Sequence, residues 1–522
     1  MSSQSVVGSD TERSRFSLGD LALWAGPSGV ALLARLANGP LTVDDAFITM
    51  RYAEHLRAGR GLIYNQGEAV LGTTTPLYAT LLSLMPVPAG SLPLAALCLN
   101  SLADAAVCLL LVWLGARLGG KLWIGALAAS GYALAPMSIA FSAGGMESPV
   151  FVLLVLSAFA LYLRGSSLAA MLVAAFATLT RPEAVLVAAL ILLHLTWERR
   201  RRPWLPGIGY AALLAPWALY ALAVYGSPIP HSVTAKAATY NVSPLLNLGA
   251  LAFGAGLPGF SVLPLADSSA NIVVPLGLTM LGLVVLYGLA RQGSRLALSR
   301  TSLALPLLLF APLYALAYAL AGLRGVRMFH WYLVPLLPFY VLYLALGVGA
   351  LVGRGGGRVP WAVPAAFLLL ALWNLAALGI SRGQLDRPTY PVGLVLVREH
   401  AYLQAGTALR ARLQPGEAIA APEIGALGYA SGAPILDTVG LVSPGISRYY
   451  PLPAEMLVGD NAVPPALIQE AQPRYLVALE QFVRRSVQES QWFRDHYDIV
   501  DRYPARVWES EEVLVFRRND RP

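Results

Sequence analysis

Apolar segments of about 17–25 residues recur along the chain as far as residue 380, and this pattern constrains the fold more than any other feature. An α-helix of that length crosses the hydrocarbon core of a bilayer with all its backbone groups bonded internally. Because 57% of the 522 residues are hydrophobic and only 13% are charged, the chain is too apolar for a soluble protein of its length. The pattern predicts an α-helical polytopic membrane protein.

We expect about eleven transmembrane helices, near residues 19–37, 92–116, 121–141, 147–163, 166–180, 183–197, 204–225, 271–290, 303–321, 330–351 and 360–380. The sequence after residue 380 is richer in charged residues and alternates helical runs, near 396–412, 464–472 and 478–493, with short β-rich runs. These strands are expected near 417–421, 434–438, 475–479, 498–502 and 512–517. The predicted parts are an N-terminal tail (1–18), a transmembrane domain (19–380) and a small C-terminal α/β domain (381–522).

The basic residues indicate how the chain is oriented. They concentrate in alternate loops, most clearly in the arginine run 199–202, and the positive-inside rule assigns such loops to the cytoplasm. The N-terminus is then cytoplasmic, and an odd number of spans leaves the C-terminal domain outside. Because these loops account for the net charge of +8, no nucleic-acid partner is expected.

The first outer loop, residues 38–90, carries two adjacent carboxylates, Asp44 and Asp45. A carboxylate can take the proton of an acceptor hydroxyl as a general base. The same pair also suits the cap of a helix that begins near Ala46, so the residues alone leave both roles open. Further candidates for substrate contact in this loop are Arg51, Tyr64, Asn65 and Glu68.

Three charged residues lie near the predicted ends of later spans. Glu147 lies at the start of a predicted span, where an acid can stabilise the helix. Arg181 and Glu183 flank Pro182, which breaks the helix between two short spans. They are candidates for substrate contact or for a buried ion pair.

Basic residues on the predicted outer face are candidates for holding a phosphate group, because cations form charge-assisted hydrogen bonds with it. The alternative role for such residues is anchoring beside lipid headgroups. The candidates are His231, Lys236, Arg324, Arg327 and His330.

No metal site is predicted, although Asp45 and Glu147 could offer two oxygen ligands to a divalent cation. Sites for such cations use several oxygen ligands, and the sequence indicates no clear third one. A divalent cation is therefore a possible cofactor, but the sequence offers only two of the ligands that it would need.

The run Asp44-Asp45-Ala46-Phe47-Ile48-Thr49-Met50-Arg51-Tyr52 resembles the first outer loop of GT-C fold glycosyltransferases. The similarity continues through the stretches 61–65, 67–68 and 75–77. The loop is most similar to that of the bacterial arabinofuranosyltransferase and mannosyltransferase-like group, which begins with the same Asp-Asp-Ala-aromatic-Ile pattern. Weaker similarity lies at 145–147, 181–183, 330–332, 425–429 and 437–441. The chain departs from the group at Leu71-Gly72, where Glu-Gly is common.

The resemblance implies a multi-pass enzyme of the bacterial plasma membrane that serves cell-envelope and cell wall biogenesis. Such enzymes take a sugar from a polyprenyl-phosphate donor and transfer it, with inversion, to a glycan, lipid or protein acceptor on the outer face. The resemblance implies that Asp45 or Asp44 is the catalytic base, and the spacing to Arg51 favours Asp45. It also implies that Glu147 faces the acceptor or assists the base, as an alternative to its role at the helix start.

The main alternative is a polytopic transporter or flippase of lipid-linked glycans. Many spans and recessed charges suit that class equally well. The sequence has no internal two-fold repeat of the kind that many transporters show, and its charges concentrate in outer loops, so the transferase is the preferred interpretation.

Overall fold

The computed structural model describes residues 17–88, 90–199, 203–239, 303–323, 329–352, 395–458 and 461–519. The spans predicted near 271–290 and 360–380 lie outside these residues, as do Arg324 and Arg327. The backbone of His330 is described, whereas its side chain is not.

Helices make up most of the described chain as far as residue 352, and their bounds follow the predicted spans closely. Two of the long ones end at a glycine in the left-handed conformation, Gly120 and Gly226, which is a common way for a helix to stop. The helices are α1 (Leu18–Leu36), α2 (Asp44–Arg57), α3 (Pro76–Ser83), α4 (Leu92–Gly119), α5 (Leu122–Ala133), α6 (Pro136–Ala143), α7 (Ser148–Leu163), α8 (Ser167–Thr180), α9 (Val185–Arg199), α10 (Trp204–Tyr225), α11 (His231–Thr239), α12 (Leu305–Leu323) and α13 (Leu337–Val352).

Four helical segments in the described part of the chain are long and apolar enough to cross a membrane. They lie in α4, α10 and α12 and at Val334–Val352. Helices α5 and α6 make a fifth candidate that is bent by 56°, while α7, α8 and α9 are apolar but shorter. The helical membrane architecture agrees with the prediction, and the number of eleven spans stays a prediction.

The bend between α5 and α6 is stabilised by Arg35, which points inward from the last turn of α1. Its guanidinium donates to the Ala133 carbonyl at 2.5 Å and to the Asp104 carboxylate at 2.7 Å. It also donates to the Ser138 hydroxyl at 2.7 Å. Because Pro136 at the start of α6 has no backbone N–H, carbonyls at the bend need other donors, and Arg35 supplies one.

The C-terminal part of the chain, called the tail below, is described over residues 395–458 and 461–519 and folds around a five-stranded sheet. The strand order is β2-β1-β3-β5-β4; β1 pairs in parallel with β2 and β3, and the pairs β3–β5 and β5–β4 are antiparallel. The elements are α14 (His400–Arg410), β1 (Ile419–Ala421), α15 (Gly425–Ser431), β2 (Ile435–Asp437), α16 (Pro465–Ala471), β3 (Tyr475–Leu479), α17 (Gln481–Arg484), α18 (Gln491–His496), β4 (Tyr497–Val507) and β5 (Ser510–Arg518).

All five predicted strands of the tail are present, and β4 is longer than expected. The helical run predicted over 478–493 is divided and starts later, because β3 continues to Leu479 and α17, a 3-10 turn at Val487–Glu489 and α18 follow it. Helix α15 was not predicted. It packs directly against α2 of the first loop, and this contact brings the tail to the candidate site.

Candidate active site

A cavity of about 470 Å³ lies where the first loop meets the ends of several helices. Its wall is formed by α2, the stretch 72–75, the start of α7, the break after α8, α11, α12 and the segment 329–332. The tail contributes Leu441. Five residues predicted from the sequence line this cavity together: Asp45, Glu147, Arg181, Glu183 and Lys236.

Asp45 lies in the first turn of α2 and faces Lys236 from α11. The distance from Asp45 Oδ2 to Lys236 Nζ is 3.7 Å, and the two side chains are 29% and 23% exposed. The Lys236 ammonium also lies 5.0 Å from the ring centre of Phe329 and 5.8 Å from that of Trp331. Aromatic faces attract cations, so these rings help to hold the ammonium beside the carboxylate. A proton acceptor and a cation thus share one solvent-accessible space.

Arg181 lies at the end of α8 and is bonded to two carboxylates. Its Nη2 donates to Glu183 Oε1 at 2.8 Å, and its Nη1 donates to Glu147 Oε1 at 3.3 Å. Tyr318 on α12 donates its hydroxyl to the same Glu183 oxygen. The buried ion pair considered as the alternative role for Arg181 and Glu183 is therefore present, and both residues also line the cavity.

Hydroxyl groups form another part of the cavity wall. Thr75 Oγ1 lies 3.1 Å from Thr73 Oγ1 and 3.4 Å from Thr49 Oγ1. Across from them on α11, Ser232 is 6% exposed, and its hydroxyl has no hydrogen-bond partner among the described residues. This wall can exchange hydrogen bonds with an uncharged, hydroxyl-rich ligand.

Asp44 points away from the cavity and contacts the tail. Its carboxylate accepts hydrogen bonds from the backbone N–H groups of Gly425 at 3.0 Å and Ala426 at 2.8 Å. It makes no cap bond at the start of its own helix α2, where Val43 is the N-cap residue. Burial raises the pKa of Asp44 to about 7, against the opposing effect of the nearby Arg398 guanidinium.

The other loop residues predicted to bind substrate also lie outside the cavity wall. Arg51, Tyr64 and Asn65 bond to backbone groups of the tail. Glu68 accepts a hydrogen bond from the Asn65 amide at 3.1 Å. These residues lie at the contact between the first loop and the tail, and their role in substrate binding stays a prediction.

Among the five residues predicted to hold a phosphate group, Lys236 is the one whose side chain the described structure brings to the cavity. His231 begins α11, and its backbone N–H donates to the Leu71 carbonyl at 2.7 Å, which ties α11 to the first loop. Arg324, Arg327 and the His330 side chain fall outside the described part of the chain.

Several residues that line the cavity were not candidates from the sequence. Ser232 is next to His231, and Thr75 belongs to a stretch of the family resemblance. A single serine or threonine in a sequence does not by itself indicate a binding site. Trp331 and Tyr332 follow the pattern of aromatic residues at a membrane surface. In the structure they line the cavity instead.

In the described ranges, no three His, Cys, Asp or Glu side chains come together as a set of metal ligands. Asp45 and Glu147 do line one cavity, as a shared cation would require. Glu147, however, is bonded to Arg181, which already supplies a positive charge at that carboxylate. Cation binding by this pair stays a prediction.

Comparisons with known proteins agree with this architecture. A family model described as a domain of unknown function, DUF8728, matches residues 394–516, which lie in the tail. No curated protein matches the sequence. Two solved structures of ArnT from Cupriavidus metallidurans have similar folds. The apo form is 14% identical, covers 96% of this chain and 97% of its own, and superposes with a TM-score of 0.54. The form bound to undecaprenyl phosphate is 15% identical, covers 95% and 96%, and has a TM-score of 0.50.

This similarity extends over nearly the whole of both chains and, at such low identity, establishes the fold alone. The chain is a helical membrane protein with a C-terminal sheet domain, arranged as in ArnT. The GT-C fold predicted from the first loop is confirmed. The resemblance to the arabinofuranosyltransferase and mannosyltransferase-like group stays a prediction.

Proposed function

We propose that this GT-C fold protein is a glycosyltransferase that moves a sugar from a polyprenyl-phosphate donor to a hydroxyl of a glycan, lipid or protein acceptor. The observation that carries the proposal is the pairing of Asp45 with Lys236, 3.7 Å apart in one cavity. The reaction needs a base for the acceptor hydroxyl and a cation for the phosphate leaving group. The undecaprenyl phosphate bound to the structural neighbour ArnT supports this class of donor.

In the proposed mechanism, Asp45 takes the proton of the acceptor hydroxyl as its oxygen attacks the anomeric carbon. A bond forms between that oxygen and the carbon, and the bond from the carbon to the phosphate oxygen breaks. The electron pair leaves with the polyprenyl phosphate, whose charge Lys236 stabilises. Attack from the face opposite the phosphate inverts the anomeric centre.

The remaining wall of the cavity fits the other parts of the two substrates. The hydroxyls of Thr73, Thr75 and Ser232 can bond a sugar ring, which carries donors and acceptors of the same kind. The faces of Trp331 and Tyr332 offer apolar surface beside them. Arg181, already bonded to Glu147 and Glu183, would orient these carboxylates and add positive charge near the phosphate.

We also propose a membrane topology and a cellular location for the protein. The chain would cross a bacterial plasma membrane eleven times, with residues 1–18 in the cytoplasm and the domain 381–522 outside. The cavity would then open on the outer face, where it serves the cell envelope.

The test is transfer of a labelled sugar by the purified full-length protein in detergent, from a panel of polyprenyl-phosphate sugars to envelope glycans. We expect label to reach an acceptor, and we expect Asp45→Asn to lower the rate by about a hundredfold or more, since general-base catalysis contributes 10²–10⁴. A parallel reaction with EDTA measures any contribution of a divalent cation.

The matched control is Asp501→Asn, which removes a carboxylate paired with Arg412 in the tail, away from the cavity. This variant should transfer sugar at the native rate. A native protein that binds the polyprenyl donor but transfers nothing to any acceptor contradicts the proposal, and would instead support a flippase of lipid-linked glycans.

A further inference from the structure

The first loop and the tail share an interface that fixes Asp44 at two points. The Asp44 carboxylate accepts from the N–H groups of Gly425 and Ala426, at 3.0 and 2.8 Å. Its backbone N–H donates to Glu399 Oε1 at 3.2 Å. The first residue of α2 is therefore held by two separate segments of the tail. We call this contact, with the neighbouring bonds described next, the loop–tail interface.

Other residues of the first loop hold the same part of the tail. Arg51 donates to the carbonyls of Gly428 and Ala433, the latter at 2.6 Å. The Tyr64 hydroxyl donates to a backbone carbonyl at 2.7 Å. Asn65 pairs with both backbone groups of Ile435, accepting at 3.0 Å and donating at 2.9 Å. Most of the polar groups in this interface are thus used between loop and tail.

The packing at this interface leaves no space for an added side chain on α15. A Cβ atom at Gly425 would lie 1.8 Å from the Asp44 carbonyl oxygen. A Cβ atom at Gly428 would lie 2.1 Å from the Tyr64 hydroxyl. Real Cβ atoms do not approach so closely, so a methyl group at either position must move α15 relative to α2.

A buried charge cluster supports the interface from the tail side. Arg398 bonds to Glu399 at 2.5 Å and to Glu423 at 2.8 Å. Glu399 in turn accepts the bond from the Asp44 backbone. Trp508 from the β4–β5 turn lies over the Arg398 guanidinium at 5.3 Å. The position of Glu399 beside Asp44 is therefore set by contacts within the tail.

Asp44 and Asp45 are consecutive residues in the first turn of one helix, so their side chains point in different directions, about 100° apart around the axis. Asp44 faces the tail, and Asp45 faces Lys236 in the cavity. A movement of Asp44 relative to the tail must also move Asp45. The tail approaches the same cavity at Leu441, whose carbonyl lies against Gly72.

We propose that the tail positions the base of the reaction: by holding Asp44, the loop–tail interface keeps the Asp45 carboxylate directed at Lys236. Asp44 is then a positioning residue, and the domain of unknown function that matches the tail acquires a role in the active site. The inference rests on the proposed function for the identity of the base, whereas the positioning itself can be measured without any turnover.

The first experiment measures kcat and the donor KM for Asp44→Asn, Asp44→Ala and Gly425→Ala. Misplacing a reacting group by about 1 Å can cost about a hundredfold in rate, so we expect kcat to fall roughly ten- to a hundredfold, with the donor KM changed less than about threefold. Asn keeps one acceptor oxygen for the two amides, so Asp44→Asn should lie between the native protein and Asp44→Ala. The control Gly29→Ala adds a methyl group where nothing lies within 4 Å, and it should be silent.

The second experiment reads the position of residue 45 directly. Cys98 and Cys108 are replaced by Ala, and a single cysteine is introduced as Asp45→Cys or, for comparison, as Glu183→Cys, which lines the same cavity from another segment. The rate of labelling by a water-soluble maleimide is measured with and without Gly425→Ala, and thermal unfolding confirms that each variant is folded. We expect Gly425→Ala to change the rate at position 45 by about threefold or more, and to leave the rate at position 183 unchanged, because the displacement is local.

An unchanged labelling rate at position 45 in the folded Gly425→Ala variant would overturn the proposal. Equal loss of kcat in Asp44→Asn and Asp44→Ala, with native activity in Gly425→Ala, would also overturn it, because Asp44 would then act chemically. If the native protein transfers no sugar, the proposed function fails, and the labelling experiment still decides whether the tail positions residue 45.

Discussion

In the described part of the chain, the buried hydroxyls of Ser142, Ser148 and Ser232 have no hydrogen-bond partner, and the surroundings of Ser148 and Ser232 differ. Ser232 lines the cavity, and Ser148, at the start of α7, does not. A buried hydroxyl without a partner costs roughly 1–3 kcal/mol of stability. At Ser232, a hydroxyl of a bound sugar can supply the missing partner, whereas Ser148 lies outside the cavity wall. Comparing the replacement of Ser232 with that of Ser148 therefore distinguishes an effect on ligand binding from an effect on folding.

We predict that Ser232→Ala raises the donor KM about tenfold, the equivalent of one lost hydrogen bond of about 1.4 kcal/mol. The same change should not lower the thermal unfolding midpoint, because the native hydroxyl is unsatisfied without ligand. Ser148→Ala should leave both KM and the midpoint at or slightly above native values. Steady-state kinetics and unfolding in detergent check this, and equal KM values for the two variants would contradict it.

Among the structural elements, the bent pair α5–α6 depends on a single side chain from α1. Arg35 and Asp104 are both fully buried, and Tyr132 donates to the other Asp104 oxygen at 2.6 Å. Arg35 lies near the end of α1, where the long side chain of an arginine can turn outward to the membrane surface or inward. It turns inward because the bend at Pro136 and the Asp104 carboxylate, both distant in sequence, need its N–H groups.

We predict that Arg35→Ala destabilises the protein by about 3–5 kcal/mol, since Asp104 would be left as a buried charge without its partner. Arg164→Ala is the matched control. It removes an exposed arginine that lies over the Trp113 ring, and it should cost less than about 1 kcal/mol. Unfolding in detergent measures both, and similar losses would show that the Arg35 network does not stabilise the bend.

For the whole molecule, the features that depend on local sequence were predictable, and those that depend on distant partners were not. Hydrophobic length predicted most of the described helices and short β-rich runs predicted the strands, because both signals lie in consecutive residues. Asp45, Glu147 and Lys236 were candidates from the sequence and share one cavity. Arg51 and Tyr64 were also predicted to contact substrate, from their place in the first loop. Instead they bond to backbone groups that lie about 360–380 residues further along the chain.

The proposed topology makes a prediction for the intact cell. A single cysteine introduced by Arg485→Cys, at an exposed position of the tail, should react with a membrane-impermeant maleimide added outside. One introduced by Lys121→Cys, in a predicted inner loop, should react only after the cells are opened. If both cysteines react in intact cells, or if neither does, the proposal that the tail lies outside the membrane and the Lys121 loop lies inside is contradicted.

The loop–tail interface also sets when the protein can become active during its synthesis. Asp44 and its partner Ala426 are 382 residues apart, and translation adds about 5–20 residues per second. Roughly 20–80 s therefore pass between synthesis of the first loop and synthesis of the segment that holds it. Until the tail has been synthesised and folded, the Asp44 carboxylate lacks the backbone N–H groups of Gly425 and Ala426. Under the proposed positioning role of the tail, a prematurely terminated polypeptide would insert many of its helices and still lack an ordered Asp45.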